Sequence, residues 1–236
     1  MTNLDLKEDK VLRDQFSICN NIDLREDVIF TFPSVFKGDV KHIADKLQST
    51  ADLLKYLTNR NPANYFKSRI IVGFTEKSRH PNWSGTKGNR IQVPIGYSKK
   101  ENEPLDACSH EIVHPFFRCS PLHNKNEGWG DGFCEFLRGP IKNLMDLNGD
   151  ELWRQMIKAA NDNIDSEYHY PGGQFILKAY EYYEKLDVSI NELINNNKAI
   201  RGFIEYLYSN FEHASISTFI KPSPKMIKKW KNKGKL

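Results

Sequence analysis

The sequence predicts an α+β fold, with a small mixed sheet and helices in its front half and mainly helices in its back half. Segments rich in β-branched residues lie before Pro94, whereas after Pro104 the apolar residues recur mostly at helical spacing. The chain has 236 residues, of which 39% are hydrophobic, so it can bury one substantial core or two small lobes around a cleft. We expect a single domain over 1–220, with an N-terminal lobe at about 28–118 and a helical lobe at about 119–220.

The front half is predicted to contain one amphipathic helix and two strands. The helix runs from Asp39, its cap, to about Asn59, and its apolar stripe consists of Val40, Ile43, Ala44, Leu47, Ala51, Leu54 and Leu57. A β-branched run at the centre of 67–74 predicts the first strand. The second strand, 90–93, alternates strictly and is closed by a proline, which favours a sheet edge. The segment 77–89 between them is rich in Gly, Ser, Pro and Asn and is predicted to be a loop.

The back half is predicted to be helical, with breaks at pairs of Gly, Pro and Asn residues. The breaks are expected at Gly139-Pro140, Asn148-Gly149 and Tyr170-Pro171. The predicted helices are 105–114, 127–137, 150–161, 172–185, 189–195 and 197–209.

The most informative motif is the pentad His110-Glu111-Ile112-Val113-His114, an HExxH string. On a helix, the four-residue step brings both imidazoles onto one face, where two nitrogens can hold one zinc ion. Pro115 follows the second histidine and disfavours helical geometry at residue 114, so we expect the helix to end or kink there.

A second group of chemistry-bearing residues follows within twenty residues of the pentad. Glu127 could complete a His, His, Glu ligand set that leaves the fourth zinc position to water. Asp131, one helical turn later, could accept the spare N–H of a zinc-bound histidine, or could itself be the third ligand. His123 competes for the same role, but the longer HExxHxxGxxH pattern needs Gly and His where Phe117 and Ser120 stand. His123 is therefore predicted to be a loop residue.

These motifs resemble those of the gluzincin metallopeptidases of the thermolysin and aminopeptidase N type. HExxH matches at 110–114, the family's "NEG" helix matches at 126–128, and Glu127 with Asp131 is similar to the ExxxD pair of the thermolysin branch. Tyr-Pro-Gly-Gly at 170–173 is similar to the Tyr-x-x-Gly segment of the aminopeptidase branch. The resemblance implies a zincin-like, two-lobed catalytic domain with the active-site helix at the floor of the cleft.

The resemblance also implies the roles of the site residues. One Zn²⁺ per chain would be bound by His110, His114 and Glu127, and Glu111 would act as general base toward a zinc-activated water. Tyr170, or alternatively His169, would donate a hydrogen bond to the developing oxyanion. The implied function is that of a zinc metallopeptidase acting on a peptide or protein substrate.

Two departures from the family pattern limit which kind of metallopeptidase we expect. The spacer between His114 and Glu127 has 12 residues, shorter than in either branch. Nothing resembles the Gly-x-Met-Glu-Asn segment that captures a free amino terminus, so endopeptidase activity is favoured over exopeptidase activity. Two alternatives remain: a catalytically silent zincin-fold binding module, and a zinc hydrolase of a non-peptide amide or ester.

The distribution of charge along the sequence limits the kinds of partner that we expect. The net charge of +4 hides a Lys-rich tail, 221–236, that carries +7 and leaves −3 for 1–220. Basic residues are thus concentrated in a tail that could contact an anionic surface or simply aid solubility, and no nucleic-acid partner is expected for the body.

With no signal peptide and no membrane span, a cytoplasmic location is expected. The cysteines, expected to be reduced and buried, are Cys19, Cys108, Cys119 and Cys134.

Overall fold

The chain divides into two compact units. In this computed structural model, the first unit contains the residues up to Lys55 together with Arg60–Cys119, and the second contains Tyr56–Asn59 and the residues from Ser120 onward. The predicted Lys-rich tail, Cys19 and the segment 124–126 lie outside the described residues. The structure describes residues 21–33, 36, 38–75, 85–94, 103–123, 127–164, 169–183 and 189–211.

The first unit is built on a mixed five-stranded sheet. Its strands are β1 (Asn21–Leu24), β2 (Val28–Phe32), β3 (Ile70–Thr75), β4 (Gly85–Lys87) and β5 (Arg90–Pro94), in the order β1-β2-β3-β5-β4. The three central strands are parallel, and β1 and β4 pair with their neighbours in antiparallel fashion. All five residues of β2 are buried, as continuous apolar strands of a parallel core usually are. The α+β prediction is confirmed.

Three predictions for the front half are wrong in detail. Strand β5 is not a sheet edge, because it lies between β3 and β4; the alternation of buried Ile91 and Val93 around exposed Gln92 reports which faces are buried, not how many strands are neighbours. Strand β4 lies inside the predicted loop and is too short to show a pattern. Strand β3 begins after residue 67, because Lys67 takes a left-handed conformation and its N–H donates to the Ala63 carbonyl.

Four helices accompany the sheet in the described part of the chain up to Cys119: α1 (Val40–Thr58), α2 (Pro62–Phe66), α3 (Glu103–Glu111) and α4 (Val113–Arg118). The last three residues of α1 are assigned to the second unit. The Oδ1 atom of Asp39 accepts a hydrogen bond of 2.9 Å from the backbone N–H of His42, which confirms the predicted cap of α1.

The described residues of the second unit form helices joined by turns, with no strand among them. Its helices are α5 (Glu127–Leu144), α6 (Gly149–Asn161), α7 (His169–Tyr183), α8 (Ile190–Asn195) and α9 (Asn197–Phe211). Aromatic rings form the centre of its core: Phe136 stacks on Trp153 and Phe175 and meets Phe203 edge to face. No helix in the described part of the chain is both long and apolar enough to cross a membrane.

The predicted break at Gly139-Pro140 is wrong, because α5 continues through it. Pro140 has no N–H to give to the carbonyl of Phe136, four residues earlier. The indole Nε1 of Trp153 donates to that carbonyl instead, at 3.0 Å. A side chain at position 139 would collide with the same indole, so glycine lets α6 approach closely enough to supply the missing donor.

The predicted turn at Tyr170-Pro171 is also wrong, because α7 begins at His169 and proline is tolerated in a first helical turn. The two glycines that follow have a packing role. A β-carbon at Gly172 would collide with Met156 and Glu135, and one at Gly173 would collide with the Met156 carbonyl. These glycines therefore allow α7 to pack closely against α5 and α6.

Candidate metal centre

The helix that carries the HExxH string is interrupted between its two histidines. Helix α3 ends at Glu111 and α4 begins at Val113, while Ile112 keeps helical dihedral angles and its N–H still donates to the Cys108 carbonyl at 2.9 Å. Pro115 cannot donate to the carbonyl of Glu111, so the regular ladder is lost three residues before the proline. The interruption was predicted at His114, and the structure places it at Ile112.

Despite the interruption, the two imidazoles converge. The Nε2 atoms of His110 and His114 lie 3.2 Å apart, with the ring planes at 71°. Two nitrogen ligands of a tetrahedral zinc ion, each at about 2.0–2.1 Å from the metal, are separated by about 3.3 Å. The pair therefore fits two adjacent positions of a zinc site. A hydrogen bond between two neutral imidazoles has a similar length, and metal analysis distinguishes the two arrangements.

The surroundings keep His114 uncharged. Burial lowers the pKa of His114 to about 3, and electrostatic interaction with His110 and Arg118 acts in the same direction. The imidazole is therefore neutral near pH 7, which is the protonation state that a metal requires of a histidine ligand.

Glu111 lies beside this pair and is shielded from water. Its side chain is only 10% exposed, and its Oε2 atom is 4.0 Å from the Nε2 atom of His114. Burial and, to a smaller extent, the Glu111 carboxylate raise the pKa of the Cys108 thiol. Burial also raises the pKa of Cys119, to about 11. Both thiols are therefore protonated near neutral pH. Cys108 is buried as predicted, but Cys119 is half-buried, so the prediction of burial is wrong for Cys119.

The remaining candidate ligands belong to the second unit. Glu127 is the first residue of α5, but its side chain lies outside what the structure describes. Asp131 follows one turn later and is half-buried. Cys134 is fully buried, stands two turns after Glu127 on the same face of α5, and carries a thiol that could hold a metal ion. The sequence predicts Cys134 only as a buried, reduced thiol, although its seven-residue spacing from Glu127 could have indicated a shared helix face.

The two candidates for oxyanion stabilisation stand in the first turn of α7. Tyr170 is buried, and burial raises the pKa of its phenol, so the hydroxyl group keeps its proton and can donate a hydrogen bond. His169 is half-buried. Both also belong to the second unit, and their roles stay predictions.

No protein-family model, curated protein or solved structure matches this chain. The resemblance to gluzincins therefore rests on the motifs quoted above. Within the first unit, the observation that bears on a metal centre is the convergence of His110 and His114 beside a buried Glu111.

Proposed function

We propose that this chain is a zinc-dependent metallopeptidase that hydrolyses peptide bonds as an endopeptidase. The observation that supports the proposal most is the 3.2 Å separation of the His110 and His114 Nε2 atoms, which suits two ligands of one zinc ion. The shielded carboxylate of Glu111, 4.0 Å from the His114 Nε2 atom, adds the acid–base group that a hydrolase needs.

The proposed metal set is one zinc ion per chain, held by His110, His114 and Glu127. A bound zinc ion would supply Lewis acidity toward the scissile carbonyl and would lower the pKa of a water molecule toward neutrality. Asp131 would accept the spare N–H of a ligating histidine and so fix its tautomer. Asp131 and Cys134, on the same helix face as Glu127, are the alternatives for the third ligand.

The chain's own residues would move the protons and stabilise the developing charge. Glu111 would accept a proton from the attacking water and then pass it to the leaving amine, a role that its position beside His114 allows. The hydroxyl group of Tyr170, or alternatively the imidazole of His169, would donate a hydrogen bond to the oxyanion.

The proposal includes a zincin-like catalytic domain over 1–220 and a cytoplasmic location. Cys108 and Cys119 are thiols, which suits a reducing compartment. In the tail, the Lys-rich run 221–236 would contact an anionic surface through its charge. Substrates would be peptides or proteins.

Two other functions use the same residues. A silent binding module would hold zinc without turnover, and a hydrolase of another amide or ester would need the same metal, base and oxyanion donor. Digestion of an unbiased peptide library by the zinc-loaded protein separates them. Cleavage that disappears in Glu111→Gln supports the peptidase, because an amide of the same size cannot accept the proton. Zinc binding without cleavage of any peptide would exclude the peptidase.

The metal itself is tested by elemental analysis of the purified protein. We expect one zinc per chain in the wild type, and little or none in His110→Ala, His114→Ala and Glu127→Ala. His123→Ala is the matched control, because it removes an imidazole that the proposal does not use. Full zinc content in both HExxH variants would contradict the proposal. Full zinc content in Glu127→Ala alone would mean that the third ligand is Asp131 or Cys134.

A further inference from the structure

The two histidines of the proposed metal site stand on different helices. His110 belongs to α3 and His114 to α4, with the interruption at Ile112 between them. A continuous helix fixes the relative position of residues four apart through its own hydrogen bonds. Ile112 keeps helical angles, but the interrupted ladder gives a weaker constraint, so a contact from outside the two helices can add to the positioning of the second imidazole.

The β4–β5 hairpin contacts both helices. Helix α3 packs against β5. The Nη1 atom of Arg118, the last residue of α4, donates to the backbone carbonyl of Gly88 in the hairpin turn at 2.7 Å. Because Arg118 stands one helical turn after His114, this short bond from a charged donor fixes the end of the helix that carries the second histidine.

The turn that accepts this bond is itself well anchored. Gly88 has a φ of +66°, a conformation that favours glycine. Asn89 is buried, and its Nδ2 atom donates to the Arg69 carbonyl at 2.5 Å, while its own carbonyl accepts from the N–H of Ile71 at 2.9 Å. Asn89, which follows the Gly88 carbonyl, is therefore bonded to the start of β3, and this limits the movement of that carbonyl.

We infer that Arg118 is a positioning residue for the metal site: through the Gly88 carbonyl it holds α4 so that the His114 imidazole converges with that of His110. The inference rests on the proposed function, because it assigns Arg118 a role at the same histidine pair. The hairpin thus adds to the weaker constraint that the interrupted helix provides.

The sign of the effect separates positioning from charge. A positive guanidinium near the histidines repels a divalent cation, so its removal should strengthen zinc binding if Arg118 acted through charge alone. Loss of a group that orients a ligand weakens metal binding by about 10–100-fold. The two explanations therefore predict opposite changes for the same substitution.

The experiment measures the zinc dissociation constant by competition with a chromophoric chelator, and the cobalt absorption spectrum as a probe of geometry. We expect Arg118→Gln to weaken zinc binding about tenfold and to alter the cobalt spectrum. Arg118→Lys keeps a donor for the Gly88 carbonyl and should stay within about threefold of wild type. The matched control is Arg69→Gln, whose Nη1 atom also donates to a backbone carbonyl of this unit, that of Arg25, but not next to α4.

The outcomes are distinct. Unchanged or tighter zinc binding by Arg118→Gln overturns the inference and leaves the proposed function standing, whereas a wild-type protein that binds no zinc through His110 and His114 ends the proposed function itself. If Arg118→Gln fails to fold, Gly88→Ala tests the same hydrogen bond through its acceptor. Alanine is unfavourable at the positive φ of the turn, so this substitution should displace the Gly88 carbonyl. Gly88→Ala is expected to weaken zinc binding, and wild-type affinity would overturn the inference.

Discussion

The side chain of Tyr170 has two explanations that differ in what its hydroxyl group does. Burial in the first turn of α7, before two glycines that allow close helix packing, explains the Tyr-Pro-Gly-Gly segment without any chemistry. A phenol that keeps its proton is also what an oxyanion donor needs. The position of Tyr170 in α7 is compatible with both roles, and a measurement of turnover distinguishes them.

We predict that Tyr170→Phe lowers turnover about 10²–10³-fold with little change in KM, because the hydrogen bond to the oxyanion forms in the transition state. Folding and zinc content should survive, since only a hydroxyl group is lost. Steady-state kinetics on a cleaved library peptide provides the measurement, and Tyr180→Phe on the same helix is the control. Normal turnover in Tyr170→Phe together with an inactive His169→Ala would transfer the role to the histidine.

At the scale of helices and strands, the sequence predicts which face of an element is buried. It does not predict which other elements lie beside that element. The stripe and cap of α1 follow from local spacing, and so does the placement of His110 and His114 close together. The number of strands beside β5 depends on β4, which is too short to recognise in advance. Local rules also fail where a distant residue satisfies a backbone group, as Trp153 does for α5.

The bond from Trp153 to α5 gives a test of this explanation. Trp153→Phe removes the donor to the Phe136 carbonyl and leaves a buried acceptor, at a cost of about 1–3 kcal/mol in the free energy of unfolding, plus the loss of ring volume. Pro140→Ala restores a backbone N–H that can reach the same carbonyl. In a double-mutant cycle, we expect Trp153→Phe to cost about 1 kcal/mol less in the Pro140→Ala background.

Denaturant unfolding of the four proteins in this cycle measures the coupling. A cycle that is additive would mean that the carbonyl is satisfied in another way, and that α5 continues through Pro140 for a different reason. Met145→Leu, a buried substitution of similar volume directly after the same helix, controls for general loosening of the core.

For the whole molecule, the candidate site could be predicted from sequence only in part. The pentad predicts His110, Glu111 and His114 as site residues, because the chemistry of an HExxH string is local. The third ligand could not be fixed, because Glu127, Asp131 and Cys134 share one face of α5 and spacing alone does not choose among them. Arg118 carries no motif at all, and its role depends on a hairpin turn thirty residues earlier in the chain.

Zinc binding should change the stability of the whole protein, because a ligand that binds the folded state raises the free energy of unfolding. At a free zinc concentration of about 1,000 times the dissociation constant, the gain is about 4 kcal/mol. For a chain of this size that corresponds to a rise of roughly 10 °C in Tm. Thermal unfolding with and without a chelator measures this shift. His123→Ala should keep it and His114→Ala should lose it, because only the latter removes a proposed ligand. An equal shift in His114→Ala would mean that zinc stabilises the protein from a different site.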